Sequence, residues 1–380
     1  MTSVRPSDAP PLPDAAPLPL DAQRILIVLP SWVGDVCMAT PLLRHIATCR
    51  PNCRIVAFGR PSLAPLMDGL PWIESFEGGA MRGITAMSEI ARMRKRKFDA
   101  VLLLPNSFRS ALFARWSGIR HRGGVARDGR SWMLTHPFMC DRPSRAIDCV
   151  KSIQSATTSY AALAQWWTGE PLANHRVELR VTDAERALAQ ALLRDSPRPG
   201  GVDRRDLVLL NPGANREDKR WSAAHFSHAA RLLSNARPRN EPPRPIAITG
   251  GPSERELCAE IAKNCDAIDL CGRGVTLGSL KGVMERTALL VTNDTGPRHI
   301  AAALETPTIA LFGPTDCRWT PLNYPRERRV VAEPFLTEDR IADDHARVCA
   351  IDRICVGDVV HAARSIDPSF IEFDGTRISP

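Results

Sequence analysis

No run of about 18 consecutive apolar residues occurs in the 380-residue chain, so no segment is predicted to span a membrane. Residues 1–22 are rich in proline and alanine and lack the apolar core of a signal peptide. We predict a disordered tail over 1–22. The length favours about two domains, and a cytoplasmic protein is expected.

The eleven cysteines show neither metal-site spacing nor a disulfide framework. Cys349 and Cys355 are too far apart for a C-x-x-C pair, so we expect thiols in a reducing compartment and no metal site. Zinc-finger, helix-turn-helix and RNA-binding signatures are missing, which argues against a nucleic-acid partner. The G-x-G-x-x-G fingerprint is also missing, and no cofactor is predicted.

The formal net charge is +8, which favours an anionic partner such as nucleotide phosphates or an anionic lipid surface. The densest basic run covers residues 92–97 at the end of a predicted helix, 84–97. Two interpretations remain open for this run. Its cations either stabilise the C-terminus of the helix on a solvated face or meet an anionic membrane surface.

Strand-like and helix-like segments alternate twice along the chain, which predicts an α/β fold with two Rossmann-like, doubly wound parallel sheets. Strands are predicted at 25–29, 54–58, 99–104, 207–211, 245–249, 267–270, 288–292 and 308–312. Helices are predicted at 40–49, 61–68, 84–97, 107–117, 149–168, 183–194, 222–235, 252–264, 276–286, 297–304 and 356–366.

A segment rich in proline, glycine and charge separates the two halves. We therefore predict a first domain at 23–195, a linker at 196–206 and a second domain at 207–355. The final helix and tail, 356–380, is a candidate to pack back on the first domain.

The segment RILIVLPSWVGDVCMATPLLRHI at 24–46 places Asp35 in a glycine-containing turn after a buried strand. Ligands of open α/β sheets bind at the carboxyl ends of the strands, so Asp35 is a candidate general base. The alternative is that Asp35 only caps the following helix.

The second half holds glycine-containing turns at four predicted strand ends: 211–221, 249–256, 293–299 and 312–316. Lys219 and Arg220 bring two cations to the first turn, which suits a pyrophosphate, although a basic surface loop is equally consistent. Glu254 or Glu256 is a candidate acceptor for a ribose hydroxyl, and Asp294 is a candidate acceptor for sugar hydroxyls. Free amides at 295–298 would form an anion site, and His299 as an isolated residue is more often structural than catalytic.

Five segments together resemble glycosyltransferase family 9, the ADP-heptose:lipopolysaccharide heptosyltransferases. They are PSWVGD at 30–35, LPNSFRSAL at 104–112, NPGANREDKRW at 211–221, TNDTGPRHIAAAL at 292–304 and LFGPTD at 311–316. The first two resemble heptosyltransferase II, whereas the short NREDK loop resembles the type I enzymes.

The resemblance implies a GT-B fold, with two domains facing each other across a cleft. It implies an inverting, metal-independent transfer of L-glycero-D-manno-heptose from ADP-heptose to the inner core of lipopolysaccharide. It also implies Asp35 as the catalytic base and a donor site in the second domain. The resemblance places Lys219, Asp294, Thr295, Gly296 and His299 in that site, and the loop patterns described above add Asn215, Arg220 and Glu254.

The acceptor is expected in the first domain, and the enzyme is expected to work peripherally on the inner face of the inner membrane. The candidate acceptor residues are Trp32, Gly34, Asn106, Ser107, Arg109, Arg120 and Arg122, the arginines being nearly as consistent with ordinary surface residues. Two other functions remain open: transfer of another nucleotide-activated sugar within the same family, and a catalytically inactive nucleotide-binding module.

Overall fold

The computed structural model describes residues 16–127, 129–139, 155–194, 205–238, 241–333, 336–337 and 340–370. The chain divides into two compact units, Met1–Leu179 and Arg180–Pro380, each built around its own six-stranded parallel sheet. The predicted α/β class with two Rossmann-like sheets is confirmed. Among the described helices, none is both long and apolar enough to cross a membrane.

The sheet of the first unit has the order β3-β2-β1-β4-β5-β6, with all strands parallel. Its strands are β1 (Arg24–Val28), β2 (Arg54–Gly59), β3 (Ser75–Gly78), β4 (Ala100–Leu103), β5 (His121–Val125) and β6 (His136–Phe138). The predicted strands correspond to β1, β2 and β4. The other three are short and poor in large apolar residues, so they lack the pattern of a buried strand.

The first helix, α1 (Val33–Cys49), begins seven residues before the predicted start and contains Pro41. Proline has no N–H, so the carbonyl of Cys37 loses its helical donor. The hydroxyl of Thr40 donates to that carbonyl instead, at 2.7 Å. The prediction of a helix start at 40 is wrong because this substitute hydrogen bond keeps the helix intact through Pro41.

The remaining helices of the first unit are α2 (Ala64–Met67), α3 (Thr85–Arg96), α4 (Phe108–Trp116) and α5 (Ala156–Thr168). The prediction of a disordered tail over 1–22 is wrong for residues 16–22, which are ordered. Residues 1–15 lie outside the described part of the chain. Leu18 is buried, and its amide donates to the carbonyl of Trp167 at 3.1 Å.

The sheet of the second unit has the order β12-β11-β10-β7-β8-β9, again parallel throughout. Its strands are β7 (Leu207–Asn211), β8 (Ile246–Ile248), β9 (Ile268–Asp269), β10 (Thr287–Asn293), β11 (Thr308–Phe312) and β12 (Glu327–Val331). The accompanying helices are α6 (Asp183–Leu192), α7 (Ala223–Asn235), α8 (Arg255–Cys265), α9 (Leu277–Met284), α10 (Gly296–Ala303) and α11 (Val356–Ile366).

Two helices lie on the second unit, contrary to the predicted domain limits. Helix α6 packs on α9, where the fully buried Lys281 pairs with Glu185 at 2.9 Å, so the first unit ends before residue 195. Most of the predicted linker at 196–206 lies outside the described residues. Helix α11 contributes Val359 and Ala363 to the core around Phe226, so this helix belongs to the second unit.

Each sheet has one position where the strand order reverses. In the first unit the reversal lies between β1 and β4, and in the second it lies between β7 and β10. Loops that leave neighbouring strands in opposite directions open a crevice there, which is where ligands of doubly wound sheets bind. The motifs at 30–35, 104–112, 211–221 and 292–304 all begin at the carboxyl ends of these four strands.

Candidate active site

Asp35 lies in the first turn of α1, directly after the carboxyl end of β1. The helix begins after Trp32 without a side-chain cap, and within the described residues the carboxylate of Asp35 makes no hydrogen bond or ion pair. The capping alternative is therefore not seen in the structure. Burial raises the pKa of Asp35, and burial together with the Asp35 charge raises the pKa of the Tyr160 hydroxyl, which places Tyr160 nearby.

The neighbouring loop, after β4, is organised by a buried arginine that sequence reasoning missed. Arg130 is fully buried and donates to the carbonyls of Pro105 and Ser107 at 2.6 and 3.1 Å. A third bond, from its Nη2 at 3.4 Å, reaches the side-chain oxygen of Asn106. The amide oxygen of Asn106 is thereby held in place at the switch point, beside β1.

Four other predicted acceptor residues, Ser107, Arg109, Trp32 and Gly34, also follow the carboxyl ends of β1 and β4. The Ser107 hydroxyl caps α4 by accepting from the Ser110 amide at 3.2 Å, whereas Arg109 is exposed and its guanidinium has no partner among the described residues. Trp32 is exposed and Gly34 lies in the first turn of α1.

Arg120 and Arg122, the remaining predicted acceptor residues, lie away from these four. They lie at the start of β5, paired in register with the start of β4, which is the amino edge of the sheet and opposite to Asp35. Arg122 also donates to the carbonyls of Met133 and Ile119, at 2.9 and 2.6 Å, and burial is the main cause that lowers its pKa. The structure therefore does not bring them together with the other candidate acceptor residues, because residues that precede a strand lie at the far edge from residues that follow one.

In the second unit, two buried asparagines join the loops after β7 and β10. Asn211 donates to the hydroxyls of Thr292 and Thr295, at 2.9 and 2.8 Å. Asn293 donates to the carbonyl of Pro212 at 2.8 Å and accepts from the amide of Trp221 at 3.3 Å. Both ends of the 211–221 loop are therefore anchored to the 292–304 motif.

This anchored loop carries Asn215, Lys219 and Arg220. Asn215 is exposed and Lys219 is half-buried, and the Lys219 ammonium makes no hydrogen bond or ion pair within the described residues. The nearest acid, Asp218, pairs with Arg216 instead. Arg220 donates through Nε to the carbonyl of Ala214 at 3.0 Å, which leaves its terminal nitrogens for a ligand.

Asp294 is held by a second buried arginine that sequence reasoning missed. Arg298 is fully buried, and its Nη1 donates to Asp294 at 3.0 Å. Its Nε and Nη2 form a bidentate pair with Glu327 at 2.8 and 3.0 Å. Two further bonds reach the hydroxyl and carbonyl of Thr320 at 2.8 and 2.9 Å, so all five donors are used. The i, i+4 spacing of Asp294 and Arg298 was the available signal.

The start of α10 offers fewer amides than predicted. Pro297 has no N–H, and the amide of Arg298 donates to the carbonyl of Thr295 at 3.1 Å. Gly296, the first helical residue, keeps an amide without an intrahelical acceptor. His299 is buried, and its Nδ1 has no hydrogen-bond partner in the part of the chain that the structure describes. Burial, followed by the Arg298 charge, lowers the pKa of His299 well below its usual value, so the imidazole is neutral.

Glu254 lies between two of the predicted turns. One carboxylate oxygen accepts from the amide of Gly251 at 2.7 Å. A Cβ at Gly213 would lie 2.0 Å from the Glu254 carboxyl group, so this close approach requires glycine. The other oxygen remains for the predicted ribose contact. The last of the four predicted turns, 312–316, ends in an ion pair with a structural role, because the buried Asp316 pairs with Arg318 at 2.7 Å.

Comparison with known proteins places these loops in one family. The model of "Glycosyltransferase family 9 (heptosyltransferase)" matches residues 87–339. Lipooligosaccharide heptosyltransferase 2 of Haemophilus influenzae is 27% identical over 316 residues, covering 78% of this chain and 85% of its own length. Lipooligosaccharide heptosyltransferase 2 of Campylobacter jejuni is 36% identical over 300 residues, covering 77% of this chain and 81% of its own.

A solved structure agrees in fold. ADP-heptose lps heptosyltransferase II of Escherichia coli superposes with a TM-score of 0.70 at 22% identity, covering 90% of this chain and 98% of that one. The likeness confirms the predicted GT-B type of fold. Because the family model spans more than half of the chain, the protein is a member of glycosyltransferase family 9, the heptosyltransferases.

Proposed function

We propose that this enzyme transfers heptose from ADP-heptose to the inner core of lipopolysaccharide, with inversion at the anomeric carbon and without a metal ion. One observation carries the proposal. The strand-order reversal of the first sheet holds an unpaired carboxylate, Asp35, and that of the second sheet holds an unpaired ammonium, Lys219. A base and a leaving-group cation are the two charges that a single displacement at a nucleotide sugar needs.

Asp35 acts as the general base. The acceptor hydroxyl loses its proton to Asp35 as its oxygen bonds to the anomeric carbon, while the bond from that carbon to the β-phosphate oxygen of ADP breaks. A single displacement of this kind inverts the anomeric configuration. The raised pKa of Asp35 suits the role, because a base is most effective when its pKa approaches the working pH.

The departing ADP gains negative charge, which cations of the second unit stabilise. The Lys219 ammonium makes no hydrogen bond or ion pair within the described residues, Arg220 keeps its terminal nitrogens, and Gly296 offers a helix-terminal amide. Preorganised donors of this kind supply the role that a divalent ion fills in metal-dependent transferases. We therefore expect full activity in the presence of a chelator.

The sugar is positioned by the motif after β10. Asp294 keeps one carboxylate oxygen without a bond from Arg298, and that oxygen can accept from a heptose hydroxyl. Neutral His299 and the Thr295 hydroxyl lie in the same turn, and Asn215 and Glu254 complete the proposed donor set. On the acceptor side we retain Trp32, Gly34, Asn106, Ser107 and Arg109.

The direct test is transfer from ADP-heptose to truncated-core lipopolysaccharides that end at successive inner-core sugars. Mass spectrometry identifies the extended acceptor, and NMR of the product gives the anomeric configuration. Transfer with inversion, unchanged by EDTA, is expected. Retention of configuration, or loss of transfer in EDTA that magnesium restores, would contradict the proposed mechanism.

The two other functions are separated by binding measurements. ADP-heptose should raise the melting temperature more than UDP- or GDP-sugars do, and the reverse order would favour another donor. Binding of ADP-heptose without transfer to any inner-core acceptor would favour an inactive nucleotide-binding module.

A further inference from the structure

Ten large apolar side chains are exposed in the described part of the chain, and six of them follow the carboxyl ends of strands in the first sheet. Their exposed fractions are 61% for Trp32, 96% for Ile84, 59% for Met87, 46% for Phe108, 63% for Trp132 and 71% for Met139. We call these six residues the carboxyl-edge patch. Soluble proteins rarely expose such side chains together without an interaction to serve.

The topology brings the patch together. The six residues follow β1, β3, β4, β5 and β6, which are parallel members of one sheet, so their loops leave from the same edge. Two of the rings are neighbours, since the centroids of Phe108 and Trp132 are 6.5 Å apart. The guanidinium of Arg115 lies 5.5 Å from the Trp132 centroid, which keeps a cation beside the aromatic pair.

The charge of this edge is positive. Arg60, Arg82, Arg109 and Arg127 follow β2, β3, β4 and β5, and their guanidinium groups have no partner among the described residues. Across 29–35, 59–63, 78–87, 104–109 and 126–133, the sequence has five arginines and two acids, Asp35 and Asp128. Loops with exposed aromatics and unpaired arginines match the headgroup region of an anionic bilayer, where Trp anchors and Arg is attracted.

The basic run at 92–97 is a weaker candidate for the same role. Arg92 pairs with Glu77 at 3.1 Å, Arg96 pairs with the same carboxylate, and Arg94 donates to the carbonyl of Trp116. The run ends α3 and leads into the start of β4, so it lies towards the amino edge of the sheet. Its charges are largely used within the protein and point away from the edge that carries Asp35.

We propose that the carboxyl-edge patch docks the protein on an anionic phospholipid bilayer. Docking through this edge brings Asp35, which follows β1, to the headgroup layer where the core of a glycolipid acceptor begins. The biological purpose rests on the proposed function, whereas the docking itself needs neither donor nor acceptor. The excess of arginine over acidic residues in these loops favours an anionic surface. A protein partner is an outcome that the test below separates.

Co-sedimentation of the full chain with vesicles tests the proposal. Binding is expected to vesicles of phosphatidylglycerol and phosphatidylethanolamine, and to be at least tenfold weaker to phosphatidylcholine. Trp132→Ser should weaken binding to the anionic vesicles about tenfold. Its control is Leu188→Ser, because Leu188 is 53% exposed and lies on α6 of the second unit, so binding should stay within twofold.

A second pair of variants tests the charges. Removing two cations with Arg82→Gln and Arg127→Gln should weaken partitioning about fivefold per charge. The control double variant, Lys95→Gln with Arg120→Gln, removes two exposed cations of the amino-edge side and should leave binding within twofold. None of these variants should change the melting temperature by more than about 2 °C. The double variant Ile84→Ser with Met87→Ser tests the contribution of the apolar side chains to vesicle binding a second time.

Three results would overturn the docking surface. They are absence of vesicle binding, equal losses in the carboxyl-edge and amino-edge variants, and concentration-dependent dimerisation that Trp132→Ser abolishes without any effect on lipid. Transfer to a soluble, deacylated acceptor is measured in parallel. Vesicle binding without transfer would refute the proposed function alone, and transfer without vesicle binding would refute the docking surface alone.

Discussion

Replacing Arg298 with methionine is the perturbation that the structure defines most fully. The side chain is fully buried and pairs with Glu327, whose side chain is 2% exposed, and with Asp294, whose side chain is 14% exposed. Arg298→Met leaves both carboxylates without their main cation. Removing one partner of a buried pair costs about 3–5 kcal/mol. For a unit of roughly 200 residues, that corresponds to a fall of about 6–20 °C in melting temperature.

A neighbouring arginine provides the matched control. Arg329 also pairs with Glu327, at 2.8 Å, but its side chain is 29% exposed. Arg329→Met should cost much less, about 1 kcal/mol, because Arg329 is partly exposed and Glu327 keeps its bidentate pair with Arg298. Adding Glu327→Gln to Arg298→Met should restore part of the lost stability, because it removes one of the two stranded charges.

The assay is chemical denaturation followed by fluorescence, together with donor titration. Because Arg298 holds Asp294, Arg298→Met should also raise the KM for the nucleotide sugar, whereas Arg329→Met should leave it unchanged. Equal destabilisation by both methionine variants, or a loss below about 1 kcal/mol for Arg298→Met, would refute the reasoning.

Three further predictions follow from the two switch points. Lys219→Met should lower kcat/KM by about 10²–10³ with little change in melting temperature, because the Lys219 ammonium makes no hydrogen bond among the described residues. An unchanged rate would remove Lys219 from the leaving-group site. His299 has a depressed pKa in the folded state, so its contribution to stability is complete above about pH 6.5 and is lost as the pH falls below that value. His299→Gln should therefore flatten the acid side of the stability profile by up to about 1.4 kcal/mol per pH unit, and parallel profiles would contradict this. Arg109→Gln should raise the KM for the acceptor, whereas Arg120→Gln, at the opposite edge, should not; equal effects in steady-state assays would contradict this placement.

The sequence predicted the switch-point loops because parallel strands leave a strong local signal. β7 and β10 are apolar runs that end in Asn211 and Asn293, followed by proline, glycine and charge. Such runs are buried on both faces, and their carboxyl ends share one edge of the sheet. Local pattern and strand direction together were therefore enough to locate the donor loops.

Long-range packing explains what the sequence did not reveal. Arg130 and Arg298 are arginines in polar segments, and nothing local shows that each is fully buried among carbonyl or carboxylate acceptors. The start of α1 was misplaced because Thr-Pro is typical of a helix start, whereas here Pro41 lies inside the helix and the Thr40 hydroxyl replaces the missing donor. Closeness in sequence to the 104–112 motif also did not reveal that Arg120 and Arg122 lie at the opposite edge of the sheet from Asp35.

The central claim is that Asp35 is the base, and the isosteric Asp35→Asn variant tests it most directly. The carboxylate makes no hydrogen bond within the described residues, so the amide should fit without loss of stability. The measurement is the initial rate of heptose transfer beside the affinity for ADP-heptose in the same preparation. We predict a rate lower by about 10²–10⁴ with donor affinity within twofold of the wild type. A rate equal to the wild type, or a parallel loss of donor affinity, would contradict the assignment.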